Sequence, residues 1–399
     1  MIIPCGKQHI DEDDIRAVIE VLRSDWLTQG PYIEKFERSL AEYCGAKYAV
    51  AVSSGTAALH LACLAAGIKD GDEVVTSPIT FVASANCVVY CGGIPVFADI
   101  NKDTYNIDPS EIRKKITSKT KAAIPVHFAG LPCDMEAIRK IADEHDLIII
   151  EDACHALGAE YRQGDEWFRV GSCSHSDMTV FSFHPVKHIT TGEGGAVLTN
   201  NKKFYEKLLL FRNHGITKDP EKFTNKDLAF SQNPEFLIHN PWYYEMQELG
   251  FNHRITDIQC ALGISQLRKL DSFVSRRREI ASAYNDAFKN ITYIKIPTQH
   301  EDRKSAWHLY VVQIDFGRIN KSRASVMNAL REKGIGTHVH YIPVYLQPFY
   351  RNKLGYKEGA SSMAESYYRM ALSLPIYPRM KNKDVNKVIN SVKDCLNVR

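Results

Sequence analysis

Between Tyr48 and Glu151 the sequence alternates short β-branched or apolar runs with amphipathic stretches of helical period. Residues 48–52, 73–76, 95–99, 122–128 and 147–151 read as strands. The stretches between them, the first ending near residue 66 and the others at 82–90, 107–116 and 135–145, read as helices. A helix between two strands returns the chain to the start of the sheet, so the strands run parallel and helices cover both faces. This order of elements specifies an α/β fold. Ligand sites in such sheets lie beyond the strand C-termini. The turns at Ser54-Gly55-Thr56, Thr80-Phe81 and Asp152 fall there, with Asp152 expected just past its strand.

Two helices, 10–22 and 33–43, precede this region, joined by the turn Asp25-Trp26-Leu27-Thr28-Gln29-Gly30-Pro31. After a helix at 202–211 comes a long polar stretch, 213–246, with Pro220, Pro234 and Pro241 and no clear period. A stretch of that length reads as a lid or an interface arm. A long helical pattern is expected from Leu249 to about Phe288, with Arg276-Arg277-Arg278 as a solvated face. Beyond Pro297 the pattern becomes α+β, with strands at 308–314 and 336–341 and helices at 321–333 and 383–396. Two domains are expected, 1–255 and 256–399. At 399 residues, 44% apolar and net charge +3, the composition points to neither nucleic acid nor a membrane surface as partner. The start of the chain does not resemble a signal peptide, and ten scattered cysteines without a CxxC pair read as reduced thiols, so a cytoplasmic location is expected.

Three stretches carry chemistry. Lys187 sits in a glycine-terminated loop between apolar runs at 178–183 and 196–198. Buried strands would hold such a loop at both ends, and a positioned lysine is a candidate for imine formation. Taken alone, it reads first as a surface lysine in a β-hairpin. Ser54-Gly55-Thr56, between a strand and a helix, leaves backbone N–H groups and hydroxyls able to hold a phosphate, or is simple N-capping. Asp152, with His155 three residues on, places a carboxylate at the crevice, or is a cap beside a core histidine. Cys154, His155, Cys173 and His175 lack metal-ligand spacing, so no metal is expected. The three stretches together supply what pyridoxal 5'-phosphate requires: a lysine, a carboxylate for the pyridine nitrogen, a phosphate cradle to which Ser182 adds a hydroxyl, and a flat group for the ring face.

Phe181-Ser182-Phe183-His184-Pro185-Val186-Lys187 with Gly192-Glu193-Gly194-Gly195, Glu151-Asp152-Ala153-Cys154-His155-Ala156 and Gly250-Phe251-Asn252-His253-Arg254 resemble the hallmarks of the DegT-type nucleotide-sugar aminotransferases. The likeness runs from Asp25 to Pro375. Within the family, Tyr243-Tyr244-Glu245-Met246-Gln247-Glu248-Leu249-Gly250 and His338-Val339-His340-Tyr341-Ile342-Pro343-Val344-Tyr345 are most similar to the branch acting in pseudaminic acid synthesis. Cys154 departs from the alanine common at that position.

The resemblance implies the fold-type I, aspartate-aminotransferase-like architecture: a large domain with a mixed, mostly parallel sheet and a small C-terminal α+β domain. It implies Lys187 as the imine lysine and proton carrier, Asp152 on the pyridine nitrogen, and His155 on the ring face, with Phe81 near the other face. It implies Ser54, Gly55, Thr56 and Ser182 at the phosphate, and Asn252 reaching the phosphate of a neighbouring subunit in a homodimer. Thr28, His338, His340 and Tyr341 are expected around the sugar nucleotide. The implied reaction moves the amino group of L-glutamate to C4 of UDP-2-acetamido-2,6-dideoxy-β-L-arabino-hexos-4-ulose. Alternatives are another UDP- or dTDP-4-keto-6-deoxy sugar, as in bacillosamine or legionaminic acid routes, and a non-catalytic cofactor-binding relative. In the sugar 3-dehydrases of this fold the lysine is replaced by histidine, whereas Lys187 is present here.

Overall fold

A computed structural model describes residues 2–231 and 239–397. Its centre is a seven-stranded sheet in the order Tyr48–Val52, Gly195–Thr199, Met178–Ser182, Ile148–Asp152, Thr120–Ile124, Glu73–Thr76 and Ile94–Phe97. Gly195–Thr199 runs antiparallel to both of its neighbours, and every other pairing is parallel. This is the mixed, mostly parallel sheet of the fold-type I architecture. Its strands are short and buried on both faces, as parallel strands under helices must be. Their side chains alternate between two cores. Val50, Val52, Ile150, Met178, Val180 and Val197 pack with the helix Gly55–Ala65. Ala49, Ala51, Ile149, Phe181, Ala196 and Leu198 pack on the other face, with Phe36 and Leu40 from the helix Pro31–Cys44.

A further core lies around the three-stranded sheet of Ile294–Lys295, Tyr310–Ile314 and Ala371–Leu374. The helix Leu270–Phe288 serves two cores, with Leu270 and Val274 in the core that holds Phe36 and Leu40, and Ile280, Tyr284 and Phe288 in the core around the three-stranded sheet.

Four expectations change. Residues 249–256 are not helical: the helix Asp257–Leu267 begins only after Thr256, whose side chain and that of Gln259 form a capping box. A second helix, Leu270–Phe288, follows it. Residues 336–341 form no strand, only a bridge from His338 to Ser373. Asp152 is the last residue of its strand rather than the first residue beyond it. Arg277 is not on a solvated face. It is 1% exposed and donates to the carbonyls of Trp307, His308 and Ile376, while burial pushes its pKa down to about 10. The polar stretch contains a two-residue hairpin pairing of Ile216–Thr217 with Glu245–Met246, and Pro234 lies outside the described residues. No helix among the described residues is long and apolar enough to cross a membrane.

Candidate active site

Strand register assembles the site. Gly195 pairs with Val52 on one side and with Ser182 on the other, and Asp152 pairs with Val180. The ends of four strands therefore meet at one edge of the sheet. Gly195 is required there, because a Cβ on it would stand 2.5 Å from the Ser54 carbonyl oxygen. Ser54 caps the helix Gly55–Ala65 by accepting from the Ala57 N–H at 3.0 Å. The helix offers no acceptor to the N–H groups of Gly55 and Thr56. They point out of the helix start with its positive dipole end, an arrangement that attracts anions. Ser182 closes this cradle, since a Cβ on Gly55 would lie 2.7 Å from Ser182 Cβ and 3.3 Å from Cys154 Sγ.

The Lys187 loop is held from within. Phe183 N–H donates to the Gly194 carbonyl at 2.8 Å, and Thr191 N–H donates to the Phe183 carbonyl at 3.0 Å. Phe183 and Ile189 are buried on either side of the lysine, and His188 Nε2 lies 3.0 Å from the Ala306 carbonyl. Lys187 itself is half-buried. Burial lowers its pKa, against the opposing pull of Cys154 and the Asp152 carboxylate. A larger fraction of it is the neutral amine that carbonyl attack requires.

Asp152 is 5% exposed. Its Oδ2 accepts from Ser84 Oγ at 2.6 Å and its Oδ1 from the Cys154 N–H at 3.1 Å. His155, 4% exposed, presents its ring beside that of His308, with centroids 4.3 Å apart. Tyr341 lies nearly parallel to His155, at 6.2 Å and 20°, and its hydroxyl is 3.3 Å from His155 Nε2. Burial, then the nearby charge of Lys187, holds His155 well below the usual histidine range, so the ring is neutral. Its Nδ1 is buried without a hydrogen-bond partner among the described residues. His340 joins the cluster through Ser373 Oγ at 2.8 Å, and its pKa is pushed down to about 3 by burial and by His338 and Lys187.

The structure thus brings Ser54, Gly55, Thr56, Asp152, His155, Ser182, Lys187, His340 and Tyr341 to one crevice. Phe81 stands 58% exposed at the rim, its carbonyl accepting from the Ser84 backbone N–H at 3.3 Å. His338 is exposed and stacks on His340 at 4.5 Å. Thr28 and Asn252 are held by backbone bridges of their own. Thr28 is exposed and bridges Thr256. Asn252 is exposed and bridges Asn213, with no side-chain bond to the Ser54 turn among the described residues. Sequence reasoning did not single out Ser84 or His308, whose only signal is a polar residue inside an otherwise apolar run.

The donor set fits pyridoxal phosphate: an anion cradle of free N–H groups and hydroxyls, a buried carboxylate with both oxygens held, a neutral flat ring and a lysine of lowered pKa. Comparison with known proteins agrees. Residues 8–393 match the model of the DegT/DnrJ/EryC1/StrS aminotransferase family. The chain is 42% identical to the spore coat polysaccharide biosynthesis protein SpsC of Bacillus subtilis, over 99% of this chain and 97% of that one. It superposes with TM-score 0.89 and 32% identity on Helicobacter pylori PseC, an aminotransferase involved in the biosynthesis of pseudoaminic acid, each chain covered in full (100%). The pyridoxal-phosphate form of a putative sugar aminotransferase, Spr1654 of Streptococcus pneumoniae, gives TM-score 0.87 and 28% identity, covering 100% of this chain and 99% of that one. The chain belongs to the DegT/DnrJ/EryC1/StrS aminotransferase family and is a pyridoxal-phosphate-dependent sugar aminotransferase.

Proposed function

We propose that the chain transfers the amino group of L-glutamate to C4 of UDP-2-acetamido-2,6-dideoxy-β-L-arabino-hexos-4-ulose, giving UDP-4-amino-4,6-dideoxy-N-acetyl-β-L-altrosamine for pseudaminic acid. The observation that carries the catalytic part is the convergence of Lys187, Asp152 and His155 on the Ser54–Ser182 cradle. The likeness to PseC over the whole chain supports the substrate. Bound pyridoxal phosphate supplies an electron sink for charge that develops on the substrate carbon. Lys187 Nζ would carry the proton between substrate carbon and cofactor, taking it from Cα of glutamate in the first half and delivering one to C4 of the sugar in the second. Asp152 would pair with the pyridine nitrogen and favour its protonated form. His155 would hold one face of the ring, with Phe81 toward the other. Ser54, Gly55, Thr56 and Ser182 anchor the phosphate. Thr28, His338, His340 and Tyr341 orient the sugar nucleotide.

On this reading two copies pair so that Asn252 of each completes the other's cradle, in keeping with its exposure. The reading divides the chain into domains at 1–255 and 256–399. It also places the enzyme in the cytoplasm, in keeping with ten free thiols. The 42% identity to a spore coat polysaccharide protein favours a second reading, a C4 aminotransferase for a different UDP- or dTDP-4-keto-6-deoxy sugar. Incubation of the purified chain with glutamate and each keto sugar, with mass analysis and NMR of the C4 configuration, separates the two. Turnover of the D-xylo epimer or a dTDP sugar alone would refute the first.

A further inference from the structure

We infer that Ser84, backed by Thr80, is a positioning residue that sets the carboxylate plane of Asp152 for the cofactor ring. This rests on the reading that Asp152 faces the pyridine nitrogen. Ser84 is fully buried on the helix Ala83–Tyr90, among Ala83, Ala85, Cys87 and Val88. A hydroxyl in such surroundings is unfavourable unless it is bonded. Its Oγ lies 2.6 Å from Asp152 Oδ2 and 2.7 Å from Thr80 Oγ1.

The direction of this chain of bonds follows from the chemistry of its end. An ionised carboxylate only accepts, so Ser84 gives its one proton to Asp152, and Thr80 must then donate to Ser84. The second oxygen, Oδ1, takes the Cys154 N–H at 3.1 Å. Two donors from different elements, one on each oxygen, fix rotation of the carboxylate about its Cβ–Cγ bond. Asp152 is thus an oriented acceptor in a buried place, and none of its hydrogen-bond partners among the described residues carries a positive charge. The remaining lone pairs are available to an N–H in the crevice.

The test uses the full chain as wild type, S84A, D152N and the double variant. Cofactor-free protein is titrated with pyridoxal phosphate by absorbance. Melting temperature is measured without cofactor, and kcat and KM for glutamate are measured with it. Loss of a hydrogen bond to a charged group predicts about ten-fold weaker cofactor binding in S84A and a similar fall in kcat, with KM for glutamate within about two-fold. In the D152N background S84A adds no further loss of affinity, because the serine acts through the carboxylate. Equal losses in both backgrounds, or a lowered melting temperature with affinity and kcat unchanged, would overturn the role of Ser84. D152N with unaltered affinity and unaltered bound-cofactor absorbance would instead overturn the reading of Asp152 on which it rests.

Discussion

Gly55→Ala tests the cradle with the smallest possible addition. Gly55 opens its helix, and its backbone does not require glycine, so the effect is one of space alone. The added Cβ meets Ser182 Cβ at 2.7 Å, Ser182 Oγ at 3.1 Å and Cys154 Sγ at 3.3 Å. Carbon atoms in contact sit about 3.5–4.0 Å apart, so roughly 1 Å must open between the helix start and the end of the Met178–Ser182 strand. Overpacking of this kind costs about 1–3 kcal/mol. The same movement draws Ser182 Oγ away from the N–H groups of Gly55 and Thr56. Losing one charge-assisted bond to a phosphate costs about 1.5–3 kcal/mol, or roughly 10- to 150-fold in affinity. Titration of cofactor-free protein with pyridoxal phosphate, beside a thermal melt, reads both numbers. Wild-type affinity to within about two-fold would show that the phosphate does not sit between Gly55 and Ser182.

Glu151→Gln is expected to lower stability by about 3–5 kcal/mol, because Glu151 is buried against His127 at 2.6 Å and also accepts from Ser176 and Thr179. Burial raises its pKa, but these donors outweigh burial and hold it below the usual glutamate value. Its contribution is therefore present above about pH 4.3 and is lost as the pH falls, so wild-type melting temperature should drop on acidification more steeply than that of the variant. Asp257→Ala removes the acceptor of the Gly30 and Tyr32 N–H groups, at 2.8 and 2.9 Å. It should cost about 1–3 kcal/mol in a melt and raise KM for the sugar nucleotide by loosening Thr28, with KM for glutamate unchanged. Tyr341→Phe keeps the ring near His155 and removes the hydroxyl at 3.3 Å. Cofactor affinity should fall by less than about ten-fold, and a larger fall would mean that the hydroxyl has a further partner.

Local signals in the sequence sufficed for much of this. The strands Tyr48–Val52 and Glu73–Thr76 and the helix Met135–His145 stand where periodicity and caps put them. The alternation of elements also placed the Ser54 turn and Asp152 at one edge of the sheet. What escaped was long-range. Residues 249–256 lead directly into a helical pattern, yet their backbone pairs elsewhere: the His253 carbonyl accepts from Ser53 N–H, and Asn252 bridges Asn213. Arg277 sits in a basic run, but its carbonyl partners Trp307, His308 and Ile376 lie 30 to 99 residues away. The clamp of Ser84 on Asp152 spans 68 residues, and nothing near either residue announces it. The strand Ala371–Leu374 has only four residues and is defined by its partner, Tyr310–Ile314.

The central claim is that Lys187 carries the cofactor. Borohydride reduction of the loaded enzyme freezes any lysine–pyridoxal linkage, and peptide mass spectrometry then locates the added phosphopyridoxyl group. The phosphopyridoxyl group should appear on Lys187 and be absent in Lys187→Ala. A phosphopyridoxyl group on a different lysine, or no labelled peptide from an enzyme that still transfers amino groups, would contradict it.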